Sequence, residues 1–333
     1  MTVAEIVEDV KTRGDEAVRE WSVQLDGVGP ALATAGGDLP VEAVLRLAGR
    51  VQRWHEAQRP RDVALEIEPG VELERRWVPL ESVGIYVPRS LVSTLVMCAV
   101  PAQAAGVERI VVATPPQGSE LVAAAAALLG IDEVWAVGGA QAIAALAYVH
   151  RVDKIVGPGN AYVNEAKLLV SRDVAIDLPA GPSEVVVVLG RGGDRAMAEL
   201  ELAAQREHGH EAICELLEAE DLEVALQRVN ELAPEHVVLL GEAESLAPRI
   251  RNAGAVFVGA SSPVASGDYA TGGNHVLPTG RWARSTGGLG LETFLKPVTT
   301  QRLTPDGLAL VRPIVEALAA VEGMTAHAQA VAR

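Results

Sequence analysis

The chain contains 333 residues, of which 49% are hydrophobic and only 3% aromatic, and its formal net charge is −16. A chain of this length has room for about two domains with packed cores. The acidic charge and the scarcity of aromatic rings argue against a nucleic-acid partner, because nucleic acids bind to basic patches and aromatic stacking platforms. The two cysteines exclude a disulfide framework and a cysteine-rich metal site.

The N-terminal segment does not have the pattern of a targeting signal. Residues 1–9 contain acidic side chains where a signal peptide has basic ones, and they lack its apolar segment. No apolar stretch reaches the ~18–20 residues of a membrane span without interruption by a charge, Gly or Pro. We therefore expect a cytoplasmic protein with no membrane partner.

In chain order, the first predicted elements are two polar-faced helices, over residues 3–20 and 41–58. From residue 82 onward, short β-branched runs alternate with Ala-rich helical stretches. The predicted strands lie at residues 83–87, 109–114, 133–137, 154–156, 174–178, 184–189, 213–217, 237–240 and 255–258. This alternation is typical of parallel sheets covered by helices on both faces.

The pattern predicts an α/β fold with two Rossmann-like parallel-sheet domains, a helical N-terminal segment and a helical C-terminal tail. We expect the first domain to comprise residues 1–85 and 184–295, with the second domain, 86–183, inserted into it. The tail, 296–333, contains a predicted helix pair over 306–331 with a break near Gly323. A segment this short has no core of its own, so it must dock on this subunit or on a partner.

Two glycine loops, Gly138-Gly139-Ala140-Gln141 and Gly157-Pro158-Gly159-Asn160, each follow a predicted strand and open a helix. That arrangement can turn backbone N–H groups toward an anion such as a pyrophosphate. Neither loop has the G-x-G-x-x-G pattern of dinucleotide sites, and tight turns use glycine for shape alone. A phosphate-binding role and a purely structural role both remain open.

Polar residues that are unfavourable to bury cluster in four places. The pairs are Gln205 with His208 on one helix face, Glu235 with His236 before an apolar strand, Asp268 with His275 in a glycine-rich loop, and Glu322 with His327 in the tail. Together, such nitrogen and oxygen donors suit zinc without cysteine. Each alone is more often an ordinary core or surface residue than a ligand, and spacing does not show that they meet.

Five longer blocks of sequence carry a family resemblance. They are Gly84-Ile-Tyr-Val-Pro88, the stretch Val137–Leu146, the stretch Val152–Ala161, the stretch Ala175–Glu184, and Asn274-His-Val-Leu-Pro-Thr279. In composition and order they resemble the signature blocks of the histidinol dehydrogenase family, and the four polar pairs occur in the family's order as well. The resemblance runs from about residue 5 to the C-terminus.

The resemblance implies oxidation of L-histidinol to L-histidine through histidinal with two NAD, in histidine biosynthesis, by a homodimer whose tail reaches into the neighbouring subunit. The implied zinc ligands are Gln205, His208, Asp268 and His327. The implied catalytic acid/base pair is Glu235 and His236. The implied substrate-binding residues are Ser183, His236, His275 and Glu322. The implied NAD contacts are Tyr86, Gln141 and Asn160.

Three features depart from the family pattern. Arg89-Ser90 stands after Pro88 in place of two glycines and a longer loop, the stretch from residue 208 to 235 is short, and Val264 stands where Glu is common. Two alternatives therefore remain. One is an NAD-linked zinc dehydrogenase of another polar alcohol on the same scaffold. The other is a zinc hydrolase in which Glu235 activates a metal-held water.

Overall fold

The computed structural model describes residues 2–179, 181–207 and 209–332. Its α-helices are α1 (Val3–Arg13), α2 (Asp15–Leu25), α3 (Val41–Glu56), α4 (Val92–Ala105), α5 (Ser119–Leu128), α6 (Gly139–Ala144), α7 (Ala161–Val170), α8 (Arg195–Arg206), α9 (Leu222–Leu232), α10 (Val264–Ser266), α11 (Pro305–Glu322) and α12 (Thr325–Val331). Its strands are β1 (Ala31–Leu32), β2 (Val63–Glu68), β3 (Val71–Pro79), β4 (Ser82–Tyr86), β5 (Arg109–Thr114), β6 (Val134–Ala136), β7 (Lys154–Val156), β8 (Ala175–Ile176), β9 (Glu184–Leu189), β10 (Ile213–Glu218), β11 (His236–Leu240), β12 (Ala255–Val258) and β13 (Leu295–Leu303).

The first sheet has the strand order β1-β6-β5-β4-β7-β8. Its strands are parallel except β1, which pairs antiparallel with β6. Strand β4 is buried along its whole length, as expected for a central strand covered on both faces. The order reverses between β4 and β7, and such a reversal leaves a crevice at the carboxyl ends of the strands, where α/β proteins usually bind ligands.

Helix α1 packs on this first sheet. It begins with a capping box in which the Thr2 side chain accepts the N–H of Glu5 and the Glu5 carboxylate accepts the N–H of Thr2. Its buried residues Ile6 and Val10 share one apolar core with Ile143 of α6 and with β4, β5 and β7. The first sheet thus includes β1 and β4, and helices α1 and α2, which precede residue 86 in the chain, share its apolar core. The predicted domain boundaries stay a prediction.

The second sheet has the order β10-β9-β11-β12, and all its strands are parallel. In β9, Val185 and Val187 face α8, whereas Val186 and Val188 face α9. Side chains alternate across a strand, so a run of consecutive valines is the pattern expected when both faces are buried. The two sheets, which are parallel except for the edge strand β1, confirm the predicted α/β fold.

The chain divides into two compact units, residues 1–59 with 80–294, and residues 60–79 with 295–333. The first contains both parallel sheets. The second contains an antiparallel sheet of order β13-β3-β2 together with α11 and α12. The predicted break in the tail is confirmed, because α11 ends at Glu322 and Gly323 has a left-handed φ of 72°. The antiparallel sheet was not among the predicted elements.

No helix in the described part of the chain is both long enough and apolar enough to cross a lipid bilayer.

Candidate active site

The site begins where β9 and β11 start, side by side. The parallel register pairs Val185 with His236, so Glu184 and Glu235 are neighbours at the amino edge of the second sheet. Each carboxylate accepts the backbone N–H of the other residue: the distance is 2.9 Å from Glu184 N to Glu235 Oε2 and 3.3 Å from Glu235 N to Glu184 Oε2. Burial raises the pKa of the Glu184 carboxyl, although the N–H groups of Gly280 and Glu235 oppose this shift.

Glu235 is buried, and two hydrogen bonds through Ser183 link its side chain to α8. The Ser183 hydroxyl donates to Glu235 Oε2 at 2.5 Å, and Gln205 Nε2 donates to the same hydroxyl oxygen at 2.6 Å. An amide nitrogen only donates, so this bond fixes the orientation of the Gln205 amide. The carbonyl oxygen of Gln205 is therefore turned away from Ser183, as an acceptor or ligand atom.

The ring of His236 has a defined tautomer. Its Nδ1 lies 3.1 Å from the backbone carbonyl oxygen of Glu184, and a carbonyl oxygen only accepts, so Nδ1 carries the proton. The neutral ring then has its lone pair on Nε2, which lies 3.9 Å from Asp268 Oδ1. The ring of Phe257 packs beside the imidazole with 5.9 Å between ring centroids. A buried imidazole held in one tautomer is suited to accept a proton at Nε2.

The segment that carries Asp268 is held by His275. Asp268 lies in a π-helical turn, Gly267–Thr271, and its backbone carbonyl oxygen is 3.1 Å from His275 Nδ1. The other ring nitrogen, Nε2, lies 3.2 Å from the Thr94 hydroxyl oxygen on α4. Donation from Nδ1 to a carbonyl leaves Nε2 to accept the Thr94 proton. His275 therefore braces the Asp268 turn against α4.

The structure brings six of the predicted site residues into one continuous set of contacts. They are Ser183, Gln205, Glu235, His236, Asp268 and His275. His208, a predicted metal ligand, lies outside the described residues. Glu322 and His327 belong to the second unit, where both are exposed. Among the described residues, no group of three His, Cys, Asp or Glu side chains is close enough to hold a metal ion.

A cavity of about 760 Å³ lies at the carboxyl ends of β4, β5, β6 and β7. Its lining includes Tyr86, Gln141 and Asn160, the three predicted NAD contacts. The volume and the position of this cavity are typical of a pocket that binds a cofactor or another ligand at a reversal of strand order. Burial raises the pKa of the Tyr86 phenol to about 12, so its hydroxyl stays protonated at neutral pH. The cavity thus joins three residues that are far apart in sequence.

Both glycine loops already have partners for their first N–H groups. Gly138 N donates to Asp26 Oδ2 at 3.1 Å, Gly139 N to the Tyr86 hydroxyl at 3.3 Å, and Gly157 N to Asp177 Oδ2 at 2.7 Å. Gly157 has a φ of 108°, and a Cβ there would lie 2.2 Å from the Tyr86 carbonyl oxygen, so only glycine fits. These bonds favour the structural role for the loops over a phosphate cradle.

Asn160 has a structural role as well as a place in the cavity. It is the N-cap of α7, and its Oδ1 accepts the N–H of Val163 at 3.1 Å. The capping bond engages the oxygen, so the amide nitrogen is the group with which Asn160 can donate to a ligand.

Sequence reasoning missed two residues of this region. Glu184 had a signal, because an acidic side chain opens the otherwise apolar run of β9. Asp26 had none, because it lies 112 residues before Gly138 and only the fold brings the two together.

Comparisons of the sequence and of the structure with known proteins agree on one family. The family model described as histidinol dehydrogenase matches residues 1–221 and 214–333, which is the whole chain. The chain belongs to the histidinol dehydrogenase family. This is a family of NAD-dependent oxidoreductases. The match divides at residues 214–221, inside the stretch that the sequence marks as short.

Individual relatives agree with this membership. Histidinol dehydrogenase from Rhizobium meliloti (strain 1021) is 40% identical, with 99% of this chain and 90% of the relative covered. The Methanosarcina barkeri (strain Fusaro / DSM 804) enzyme is 37% identical at the same coverage. The crystal structure of histidinol dehydrogenase from Elizabethkingia anophelis superposes with a TM-score of 0.91 at 30% identity, covering 99% of this chain and 90% of that one.

An acetylating aldehyde dehydrogenase from Geobacillus thermoglucosidasius shares the fold alone. Its TM-score is 0.53 at 13% identity, with 90% of this chain and 92% of that chain covered.

Proposed function

We propose that this chain oxidises L-histidinol to L-histidine through histidinal, using two NAD and one zinc ion per subunit, in cytoplasmic histidine biosynthesis. The observation that carries the proposal is the set of contacts from Gln205 through Ser183, Glu235 and His236 to Asp268, in a chain of this family. In these contacts a carboxylate and an oriented imidazole lie near two oxygen atoms that could bind a metal, those of Gln205 and Asp268, and this supports the proposal.

The residues present fit a zinc ion. The ligands that we propose are Gln205, His208, Asp268 and His327 of the partner subunit. They supply nitrogen and oxygen donors, which zinc accepts without cysteine. The bond from Gln205 Nε2 to Ser183 supports this set, because it leaves the amide oxygen as the ligand atom. When bound, zinc would hold the amino alcohol through nitrogen atoms and orient its carbinol carbon toward the nicotinamide, which is a templating role.

His236 is the residue that we propose for moving protons. Its Nδ1–H bond to Glu184 fixes the lone pair on Nε2, which then takes the hydroxyl proton of histidinol. The protonated ring returns this proton to the aldehyde oxygen as water adds, and the same nitrogen then takes a proton from the hydrated aldehyde in the second oxidation. NAD supplies the acceptor for the hydride that leaves carbon in each step. Imidazole is suited to this work because its ordinary pKa lies near neutral pH.

Glu235 is the residue that we propose for activating water. Histidinal has no hydroxyl hydrogen to lose with its hydride, so a water must first add to the aldehyde carbon. The Glu235 carboxylate accepts the proton of that water as it adds. Ser183 and the N–H of Glu184 both bind Oε2, which fixes the plane of the carboxylate. A fixed orientation favours proton transfer at one defined position.

NADH absorbance with L-histidinol tests the function directly. We expect two NADH for each histidine formed, loss of activity on dialysis against a chelator, and its return with Zn²⁺ because the ligands remain. A hydrolase would form no NADH. NADH from other polar alcohols but none from L-histidinol would identify a dehydrogenase of another substrate. Full activity after verified metal removal would contradict the zinc proposal.

We also propose a homodimer in which the tail completes the neighbour's site. Leu310, Ile314, Leu318 and Val321 of α11 recur at helical spacing and are all exposed, with Val321 87% exposed. Monomeric proteins seldom leave such an apolar row uncovered. His327 and Glu322 lie in this same tail, so docking it on a second subunit would carry both to the site there.

Mixing two inactive variants tests the shared site. His327→Ala damages the tail and Asp268→Ala damages the body of the subunit. A mixed dimer therefore has one intact site and one site with both defects. After subunit exchange at equal amounts, about a quarter of wild-type activity is expected, because half the dimers are mixed and each has one working site. His327→Ala incubated alone is the control. Verified exchange without recovered activity would show that each site uses one chain.

A further inference from the structure

We propose that Asp26 is a positioning residue that fixes the amide of Gln141, so that the Gln141 oxygen accepts a hydrogen bond from the bound dinucleotide. The inference rests on the proposed cofactor site in the cavity lined by Tyr86, Gln141 and Asn160. It adds a residue from a different part of the chain, directly after α2, and assigns it a definite task.

The position of Asp26 is defined by two hydrogen bonds. Its Oδ2 accepts the N–H of Gly138 at 3.1 Å and the Nε2 hydrogen of Gln141, also at 3.1 Å. Asp26 lines the same cavity and is half-buried. One carboxylate oxygen therefore ties the first turn of α6 to the side chain of Gln141, which belongs to that turn.

The chemistry of the two groups decides how the Gln141 amide is turned. A carboxylate accepts hydrogen bonds and donates none. If the Gln141 amide were reversed, its oxygen would face the Asp26 oxygen, and two acceptors would oppose each other. Asp26 therefore selects the orientation in which Nε2 faces the carboxylate and Oε1 faces away from it.

The selected orientation leaves a buried acceptor in the cavity wall. Gln141 is only 1% exposed, and its Oε1 has no hydrogen-bond partner among the described residues. Buried acceptors nearly always have a donor, and those that lack one are unfavourable until a donor arrives. A dinucleotide offers such donors as ribose hydroxyls and the carboxamide N–H. Binding one of them would complete the chain from Asp26 through Gln141 to the ligand.

Leu at position 26 would remove this selection while keeping a branched side chain of similar size. Without the carboxylate, neither orientation of the Gln141 amide is selected by its neighbour, so both become populated. The acceptor facing the ligand would then be lost in part of the molecules. Affinity for NAD should fall, while groups at the edge of the second sheet should be unaffected.

The experiment is a double-mutant cycle read by calorimetric titration with NAD. Asp26→Leu, Gln141→Leu, the double variant and wild type are compared, with exposed Asp132→Leu as a matched control. We expect the Kd for NAD to rise about tenfold in Gln141→Leu, which removes the acceptor from every molecule, and about twofold in Asp26→Leu, which leaves it in about half of them. The double variant should bind NAD no more weakly than Gln141→Leu, because both changes act on one interaction. We also expect a raised KM for NAD, with kcat at saturating NAD unchanged.

Each other outcome has a separate meaning. If Gln141→Leu leaves the Kd unchanged, the proposed cofactor site itself is wrong. If Gln141→Leu weakens NAD binding but Asp26→Leu does not, only the role of Asp26 is overturned. Additive effects in the double variant would mean that Asp26 does not act through Gln141. A lower melting temperature and a lower kcat for Asp26→Leu, without a change in the Kd for NAD, would show that Asp26 has only a structural role.

Discussion

Glu235→Gln is expected to leave the first oxidation within about tenfold of wild type and to slow the second by about 10²–10⁴-fold, the usual contribution of general base catalysis. Gln has the shape of Glu and can still accept from Ser183, but it does not take a proton from water. Only the step from histidinal needs that water, because L-histidinol brings its own hydroxyl group. The variant should therefore release one NADH rapidly and then stall at the aldehyde.

The two steps are separated by starting from histidinol or from histidinal and following NADH in single turnovers. The exposed Glu231→Gln is the matched control for loss of one negative charge on the same unit. His236→Asn should slow both steps and change the pH profile of each, because His236 accepts a proton in both oxidations. If Glu235→Gln slowed both steps by the same factor, the division of work between Glu235 and His236 would be wrong.

Lys167→Met is expected to lower the free energy of unfolding by about 3–5 kcal/mol, the range for breaking a buried ion pair. Lys167 of α7 and Asp177 are both almost fully buried, and the ammonium donates to Asp177 and, at 2.9 Å, to the Gly157 carbonyl oxygen. Met matches the length of the Lys side chain but leaves the Asp177 charge buried without a counter-charge. The pair also holds the loop that ends at Asn160.

Urea unfolding followed by circular dichroism measures this effect. Lys11→Met is the matched control, because Lys11 pairs with Asp173 at 2.7 Å on the surface, where both side chains are more than 40% exposed. An exposed pair of this kind usually contributes at most about 1 kcal/mol. Lys167→Met combined with Asp177→Asn should recover part of the loss. If Lys167→Met and Lys11→Met lowered the free energy of unfolding equally, the buried ion pair would contribute no more to stability than the exposed one.

The sequence predicted most reliably the elements whose pattern follows from burial. The valines of β9 and the apolar run of β11 form continuous stretches because helices cover both faces of the second sheet. Helix α4 was not predicted, since it is apolar all round and has no periodicity to mark it as a helix. Its Cys98 is fully buried.

The antiparallel sheet of the second unit was missed for two different reasons. In β2, Val63, Leu65 and Ile67 alternate with Ala and Glu, which is a usable strand signal that the prediction overlooked after the helix over 41–58. Strand β13 has no such alternation, because eight of its nine residues are exposed. It becomes a strand only by pairing with β3 along its whole length.

The candidate site was predictable in its residues but not in its connections. Clustering of polar pairs and the family resemblance named Glu235 and His236. No pattern in the sequence shows that Glu184 sets the tautomer of His236 or that Asp26 meets Gln141. Those contacts depend on strand register and on long-range packing, which become fixed only in the folded chain.

The hydrogen bond between Thr94 and His275 limits where the chain can change its length. Thr94 lies in the first turn of α4, just after the short loop Pro88–Leu91, in which Ser90 has a left-handed φ of 52°. Slipping α4 by one residue would rotate Thr94 about 100° away from the imidazole. Loops of other lengths, grafted between Pro88 and Leu91 to re-engineer the cavity entrance, are therefore tolerated only if the helical phase of α4 is preserved.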